Sequence, residues 1–220
     1  MTAGGRVERE IKLDADPDLV LPDFDAVVPG ATVRRRDALE LDATYFDAED
    51  LRLLDHGVTV RRRVGEGTRW TVKVPGPAPG DEDGPGGGDA VVRREHDVVD
   101  EATDPPAEVR ELVAPWLGDA PLAPVARLVS LRSRLDVRVD RTGDVVAEID
   151  DDLVVVHAEG REVGRFREIE IELSSGLSGP DATAAGAIVD AVAEGLVAVG
   201  ARWSTGRPKV DRALTLIGRR

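Results

Sequence analysis

Two glutamates and a lysine alternate along the stretch VEREIKL at residues 7–13, namely Glu8, Glu10 and Lys12. Successive side chains of an extended strand point to opposite faces, so these three share one face and the aliphatic residues share the other. Carboxylate oxygens are ligands for hard divalent cations, and an ammonium group attracts anions. The spacing therefore predicts a strand with one charged face, which either meets water or binds a charged ligand.

The same alternation recurs in nearly every other predicted strand. For any one strand, the simplest interpretation is an antiparallel sheet whose polar side faces water. The distribution of charge favours convergence instead, because acidic positions gather in the first and late strands and basic positions in the middle. The alternating basic positions are Arg61 with Arg63, Arg69 with Lys73, Arg93 beside Glu95, and Arg132 with Arg134, and the late acidic ones are Glu148, Asp150, Glu168, Glu170 and Glu172.

The elements that must position these residues are mostly strands. Alternation and glycine turns predict a hairpin formed by residues 56–67 and 68–76. Asp150, Asp151 and Asp152 form a run that is more typical of a solvated turn than of a metal loop, so a bend is expected there. Further strands are predicted over 42–47, 90–100, 126–140, 144–157 and 165–173.

Helices are predicted for a short piece within 17–30, for about 105–117, for 181–200 and for the final segment 206–218. Asp104 is the expected N-cap of the second helix, with Pro105 in its first turn and Gly118 closing it. The segment 75–89 is so rich in glycine, proline and acid that it predicts a mobile loop inside the domain. About eight antiparallel strands plus helices indicate an α+β protein whose sheet is able to close on itself.

If helices cover the aliphatic side of such a sheet, the charged side lines an interior channel. Carboxylates in that channel would suit Mg²⁺ or Mn²⁺, and arginine and lysine side chains would neutralise several phosphate groups. A polyphosphate tail with its metal is the ligand that fits best. Because burying an ion costs of the order of several kcal/mol, the charges must be paired or the channel must hold water.

The amino-acid composition limits the class of protein that this chain can be and the kinds of partner that it can bind. The 220-residue chain has 41% hydrophobic residues, 33% charged residues, a net charge of −14 and no cysteine. These values predict one soluble cytoplasmic domain over 1–220, without disulfides, a cysteine nucleophile, a membrane span or a nucleic-acid partner. A homodimer is left open. Of 29 basic residues only Lys12, Lys73 and Lys209 are lysines, which marks these three for attention.

An ordered set of motifs gives a resemblance to a known family. The set is ExExK at Glu8, Glu10 and Lys12, then TYFD at 44–47, GVTVRRR at 57–63, WTVKVP at 70–75 and EIEIE at 168–172. It resembles the CYTH family, the triphosphate tunnel metalloenzymes, over about residues 6–214. The resemblance implies an eight-stranded antiparallel β-barrel tunnel with a polar interior and helices packed outside.

The resemblance also implies roles for single residues. Lys209 corresponds to the lysine of a C-terminal Ser-Lys-Tyr motif, although Pro208 and Val210 replace its neighbours here. The implied catalytic residues are Glu8, Glu10, Lys12, Glu168 and Glu170; the phosphate-binding residues are Lys12, Arg61, Arg63, Lys73, Arg132, Arg134 and Lys209; and the ligands of Mg²⁺ or Mn²⁺ are Glu8, Glu10, Asp150, Glu168 and Glu170.

Three functions follow as expectations. The first is metal-dependent hydrolysis of inorganic tripolyphosphate or an organic triphosphate. The second is cyclisation of ATP to cyclic AMP, as in a class IV-type adenylate cyclase, which would use the same phosphate-binding residues. The third is a non-catalytic polyphosphate-binding module. In some relatives a CHAD domain accompanies that role, and we see no such domain in the 220 residues.

Overall fold

A computed structural model of the chain describes residues 6–28, 30–76, 91–140, 142–174, 177 and 179–220. Side chains are described for these residues except 6–9, 91–92 and 179–181. Most of the mobile loop predicted at 75–89 therefore lies outside the described residues, as does the side chain of Glu8. The single-domain organisation over 1–220 stays a prediction.

The described residues form ten strands and five helices, and every strand pair is antiparallel. Each predicted strand is present, and two short strands are added to them. The strands are β1 (Arg6–Ala15), β2 (Ala31–Arg35), β3 (Leu39–Asp47), β4 (Thr59–Gly65), β5 (Gly67–Pro75), β6 (Val91–Val98), β7 (Ala123–Val139), β8 (Val145–Ala158), β9 (Arg161–Leu173) and β10 (Arg202–Trp203). The helices are α1 (Phe24–Val27), α2 (Arg52–Asp55), α3 (Ala107–Leu117), α4 (Gly179–Ala198) and α5 (Lys209–Ile217).

Eight of the strands follow one another around a curled sheet in the order β1, β6, β5, β4, β3, β7, β8 and β9. The two ends of this order meet at β1, which pairs with β6 through Arg6–Glu10 and with β9 through Glu10–Ala15. The two ladders of β1 share only Glu10, so they join the ends of the sheet in two staggered halves. β2 extends the sheet beside β7, and β10 lies beside the second half of β1.

Helices cover the outer face of the curled sheet. One apolar cluster joins alternate residues of β1, β8 and β9, such as Leu13, Ile149 and Ile171, to α1 and α4. A second cluster joins Trp70 and other outward residues of β4 and β5 to α3. Because the apolar residues of these strands face outward under helices, their charged neighbours in the alternation face inward. The α+β fold with a polar interior is confirmed.

Helix α5 occupies a different position, on the inner face at one end of the curled sheet. Its Ala213 and Leu214 pack against Val154, Val156 and Phe166, which share the face of the inward carboxylates further along β8 and β9. The inner face is therefore charged along most of its length and apolar at the end that α5 fills. This placement brings the start of α5 next to the buried charges.

A tight glycine turn connects β4 to β5. Gly65 and Gly67 flank Glu66, and Gly67 has a φ of 79°, in the region that favours glycine. A Cβ on Gly65 would lie 2.8 Å from the carbonyl oxygen of Glu40, so no side chain fits there. The turn holds Glu66 where it contacts Arg134 of β7.

The short helical piece predicted within 17–30 is present as α1. Two local predictions are wrong. Helix α3 has Pro106 at its N-cap instead of Asp104, and no side chain caps it, although Gly118 does close it. The pairing of β8 with β7 and β9 runs without a break through Asp150–Asp152, so no bend lies there. Cross-strand partners on both sides keep this segment extended.

Candidate active site in the tunnel

The inward side chains enclose a cavity of about 650 Å³ whose lining contains nine basic and eight acidic residues. The two signs are nearly balanced in number, so their positions decide what the cavity can bind. Among the residues predicted from the sequence, the lining includes Glu10, Lys12, Arg61, Arg63, Lys73, Arg132, Arg134, Asp150, Glu170 and Lys209. Glu168 lies behind this lining with its side chain fully buried.

One side of the tunnel is an array of carboxylates on β1, β9 and β8. The strand register places Glu170 of β9 between Lys12 of β1 and Asp150 of β8. Each neighbouring row of the sheet likewise takes one residue from each of these three strands. Like charges directly opposite one another destabilise a sheet, so this array requires cations. We call its carboxylates the acidic wall: Asp14, Glu168 and Asp152 in one row, Glu170 and Asp150 in the next, and Glu10, Glu172 and Glu148 in the third.

Lys12 lies within the acidic wall. Its Nζ is 3.3 Å from Glu10 Oε1 and 3.5 Å from Glu168 Oε1, and it also forms an ion pair with Glu170. Burial alone would lower the pKa of Lys12, but the carboxylates, Glu170 above all, raise it above the ordinary value. The ammonium group therefore stays charged at neutral pH.

Lys209 supplies a second cation to the acidic wall from the first residue of α5. Its Nζ lies 2.9 Å from Asp152 Oδ2, 3.1 Å from Glu168 Oε1 and 2.8 Å from Glu170 Oε2. Burial opposes the charged forms of Lys209 and Glu170. Lys12, Lys209 and Arg132 nevertheless hold the pKa of Glu170 well below its usual range. Lys209 thus enters the tunnel although the residues flanking it differ from the family motif.

Arg132 joins β7 to the acidic wall. Its Nε lies 2.8 Å from Asp152 Oδ1 and its Nη2 lies 2.7 Å from Asp152 Oδ2, and Nη1 contacts Asp150. The prediction of a solvated turn at the three aspartates is wrong, because Asp150, Asp151 and Asp152 are only 9%, 8% and 1% exposed. Extending the alternation of Glu148 and Asp150 by one step would have found Asp152.

Asp150 belongs to the acidic wall, but its surroundings oppose its charged form. Burial raises its pKa to about 6, against the opposing effect of Arg132, and the nearby charge of Glu170 adds to the rise. Its Oδ1 is buried without a hydrogen-bond partner. Asp150 therefore exchanges a proton nearer to neutral pH than an ordinary aspartate does.

The other side of the tunnel is basic. We call Arg61, Arg63, Arg69 and Lys73, on β4 and β5, the basic wall. Lys73 Nζ lies 2.9 Å from Glu95 Oε2 on β6, and Arg69 Nη1 lies 3.8 Å from Asp97 Oδ2. Burial opposes the charge of Arg61, but the neighbouring Tyr45 and Glu95 raise its pKa. The sequence had not singled out Tyr45 as a site residue, and its place in TYFD was the available signal.

Arg63 differs from the rest of the basic wall. Within the part of the chain that the structure describes, its guanidinium forms no hydrogen bond and no ion pair. Burial and the like charges of Arg61, Arg132 and Arg69 lower the pKa of Arg63 to about 10. Arg63 is half-buried, and a partly desolvated guanidinium beside like charges is stabilised when an anion joins it.

Comparison with known proteins assigns the family. The model of the CYTH domain matches residues 8–185, which is most of the chain. This chain belongs to the CYTH family. CYTH proteins act on triphosphates and generally depend on divalent metal ions. Triphosphate-related activity is therefore typical of the family to which this domain belongs.

Two relatives of this CYTH domain are uncharacterized proteins of Mycobacterium tuberculosis, from strains CDC 1551 / Oshkosh and H37Rv. Each is 30% identical over 220 residues, covering 94% of this chain and 40% of the relative. The chain thus spans less than half the length of these relatives. A solved structure from Bacillus halodurans, provisionally named an adenylate cyclase, is 17% identical with a TM-score of 0.58, covering 96% of this chain and 98% of the other. That likeness supports the fold.

The acidic wall has the donor chemistry that a hard divalent ion requires. Both carboxylate oxygens of Glu168 and Oδ1 of Asp150 are buried without a hydrogen bond, although Lys209 lies near Glu168. Among the described side chains, however, no three histidines, aspartates or glutamates form a group ready to hold a metal. Lys12, Lys209 and Arg132 lie among these oxygens instead. The residues fit Mg²⁺ or Mn²⁺ in kind, and Lys12, Lys209 and Arg132 compete with an ion for these oxygens.

No helix in the described part of the CYTH domain is both long enough and apolar enough to cross a bilayer. The longest of these helices, α4, has 20 residues and packs against β8 and β9. Its apolar residues are therefore part of the core.

Proposed function

We propose that this CYTH domain binds a triphosphate in the tunnel and hydrolyses it with the help of Mg²⁺ or Mn²⁺. The observation that carries the proposal is Arg63, a half-buried guanidinium that lies near Arg61, Arg69 and Arg132 and has no hydrogen bond or ion pair among the described residues. Such a cluster is stabilised by a polyanion that contacts several cations together. A chain of phosphates is the compact ligand with that charge density.

The basic wall would bind the non-bridging phosphate oxygens. Each arginine can donate to two phosphate oxygens at once, and lysine acts as a point charge. A divalent ion held by Glu10, Glu168, Glu170 and Asp150, with Glu8 as a further candidate, would supply positive charge to the same phosphates. The transition state of phosphoryl transfer is loose, so the work of these side chains is to hold the chain in line and to stabilise its charge.

The basic wall and the acidic wall lie on opposite sides of the tunnel, and this placement would decide how a bound triphosphate is held. Phosphate groups that contact Arg61 and Arg63 on one side face the carboxylates of the acidic wall on the other. Those carboxylates repel the phosphates directly, so a cation must lie between them. Lys12 and Lys209 are in that position already, and each carries its charge at neutral pH. They would contact the phosphates from the acidic side.

The first experiment incubates the purified protein with tripolyphosphate, thiamine triphosphate and ATP, with Mg²⁺, with Mn²⁺ and with a chelator. Release of orthophosphate that requires the metal is the expected result. Cyclic AMP with pyrophosphate from ATP would assign the cyclase reaction instead. Tight binding of tripolyphosphate without turnover in either metal would assign a polyphosphate-binding module.

A pair of variants tests the role of the basic wall. Arg63→Ala is expected to weaken tripolyphosphate binding about tenfold or more, because a charge-assisted contact worth roughly 1.5–3 kcal/mol is lost. Arg62→Ala is the matched control, since Arg62 points outward and donates to the carbonyl oxygens of Glu101 and Ala102. Isothermal titration calorimetry without metal measures both. Equal affinities for the two variants would contradict a phosphate site at Arg63.

The expectations about partners follow from the same chemistry and stay predictions. The ligand would be a small triphosphate or polyphosphate, without a nucleic-acid or membrane partner. The net charge of −14 repels polyanions as long as nucleic acids, whereas a short triphosphate can reach the enclosed basic wall.

A further inference from the structure

Asp152 is buried behind the residues that line the tunnel, and it contacts two cations of that lining, Arg132 and Lys209. Its side chain is 1% exposed, and it is not among the residues that line the cavity. It accepts two hydrogen bonds from Arg132, at 2.8 and 2.7 Å, and its Oδ2 lies 2.9 Å from Lys209 Nζ. One carboxylate thus holds a cation from β7 and a cation from α5.

The two cations reach Asp152 from unconnected parts of the fold. Arg132 is its direct cross-strand neighbour in the β7–β8 ladder, whereas Lys209 begins the helix that fills the end of the sheet. Burial alone would raise the pKa of Asp152, but Lys209 and Arg132 hold it below its usual range. The carboxylate therefore stays ionised and keeps both partners in place.

We infer that Asp152 is a positioning residue that fixes Arg132 and Lys209 in the geometry required for turnover, without touching the substrate. This inference rests on the proposed triphosphatase function. Removing the charge of Asp152 would free both cations, and Arg132 would then turn towards Asp150 and Glu170, which it already contacts. A displacement of about 1 Å in a positioning group can lower turnover about a hundredfold.

Loss of Asp152 should affect binding and turnover in opposite ways. Its negative charge competes with phosphate for Arg132 and Lys209, so an anion should bind the variant at least as tightly as the wild type. The geometry of the bound chain would be looser, so kcat should fall. A purely structural role would give neither this separation of binding from turnover nor any difference from another buried aspartate.

The neighbouring Asp151 provides the matched control. It is 8% exposed and, like Asp152, makes a paired contact with one arginine, at 2.7 and 2.8 Å to Arg167. Arg167 also donates to the carbonyl oxygen of Leu19, on the outer side of the sheet, away from the tunnel. Asp151→Asn therefore breaks an equivalent buried pair on the opposite face.

The experiment compares the wild type, Asp152→Asn and Asp151→Asn in the full chain. Tripolyphosphate binding is measured by calorimetry without metal, and kcat is measured with Mn²⁺. The expected result is a kcat at least tenfold lower in Asp152→Asn than in Asp151→Asn, with a Kd equal to or below that of the wild type. If Asp152→Asn does not fold, Asp152→Glu and Asp151→Glu replace the pair, because they keep the charge and move it by one methylene.

Two other results have separate meanings. If the wild type binds and hydrolyses tripolyphosphate while the Asp152 and Asp151 variants share one kcat, the inference is overturned and the proposed function stands. If Kd rises in proportion as kcat falls, the inference is also overturned, because Asp152 then supports binding and not geometry. A wild type that neither binds nor hydrolyses tripolyphosphate overturns the proposed function and this inference with it.

Discussion

The acidic wall and the basic wall line the same tunnel, yet their charges are satisfied in different ways. Lys12, Lys209 and Arg132 make close ion pairs with the central carboxylates of the acidic wall. The basic wall contains Arg63, for which the described residues offer no partner. The acidic wall is thus stable without a ligand, whereas the basic wall gains from one.

The difference shows that one sheet can carry some charges that stabilise the fold and others that bind a ligand. Cations that lie among the carboxylates contribute to the stability of the folded chain, because their removal would leave buried negative charges unpaired. Arg63 of the basic wall reduces stability through repulsion with Arg61, Arg132 and Arg69, and an anion that binds there would restore it. Substitutions of a cation in the acidic wall and of Arg63 should therefore change stability in opposite directions.

The largest effect is expected for Lys209→Met. The substitution keeps the length of the side chain but leaves Asp152, Glu168 and Glu170 without one of their cations. Breaking a buried ion pair from one side costs about 3–5 kcal/mol of unfolding free energy. Urea unfolding in metal-free buffer measures the loss.

Arg207→Met is the control for Lys209→Met. Arg207 is largely exposed and lies 3.5 Å from Asp211, so its ion pair should contribute about 0–1 kcal/mol. A loss for Lys209→Met no larger than that of Arg207→Met would show that the acidic wall does not depend on α5 for its cations.

A smaller effect is expected from the pH dependence of Asp150. Its pKa is raised from 3.8 to about 6, so between these values the folded state holds a proton that the unfolded state has released. The contribution of Asp150 to stability is therefore complete below about pH 4 and is lost as the pH rises through 6. The full change is up to about 3 kcal/mol, since one pKa unit corresponds to about 1.4 kcal/mol.

Asp150→Asn removes this titration. In chelator-treated buffer, the stability of the variant relative to the wild type, measured as the free energy of unfolding, should be greater at pH 7.5 than at pH 4.5 by about 1–3 kcal/mol. Urea unfolding at the two pH values gives the comparison. A difference between variant and wild type that is the same at both values would mean that Asp150 is not the titrating group.

The smallest effect is expected for Arg63→Met in anion-free buffer. Removing a cation from the basic wall relieves repulsion with Arg61 and Arg69, so stability should stay unchanged or rise by about 1 kcal/mol. Added tripolyphosphate should then raise the Tm of the variant less than that of the wild type. A clear loss of stability without any anion would place Arg63 with the cations that support folding.

The alternation of residues along strands predicted most of the two walls, although it left out Asp14 and Asp152. Arg61, Arg63 and Lys73 face the cavity because the same strands carry apolar residues at the intervening positions, and helices cover those residues. Period-two patterning is a local property, so a single sequence reveals it. The same reasoning places Glu10, Lys12 and Glu170 on the opposite side.

The sequence alone did not reveal how the charges are paired. The aspartates of β8 suggested a turn because a run of three acids is usually solvated, and only their strand neighbours Arg132 and Arg167 explain their burial. The side on which α5 packs was equally hidden, since an amphipathic helix can cover either face of a sheet. Both features depend on contacts between residues far apart in the chain.

The position of Lys209 after all eight strands of the curled sheet has a consequence for biosynthesis. Glu168 and Glu170 leave the ribosome before Lys209, one of the cations that neutralise them, because β9 precedes α5 in the chain. Until α5 emerges, the share of their charge that Lys209 balances must be hydrated or protonated, so water should remain in this part of the nascent sheet. The tunnel of this CYTH domain should therefore reach its final form late, when α5 docks.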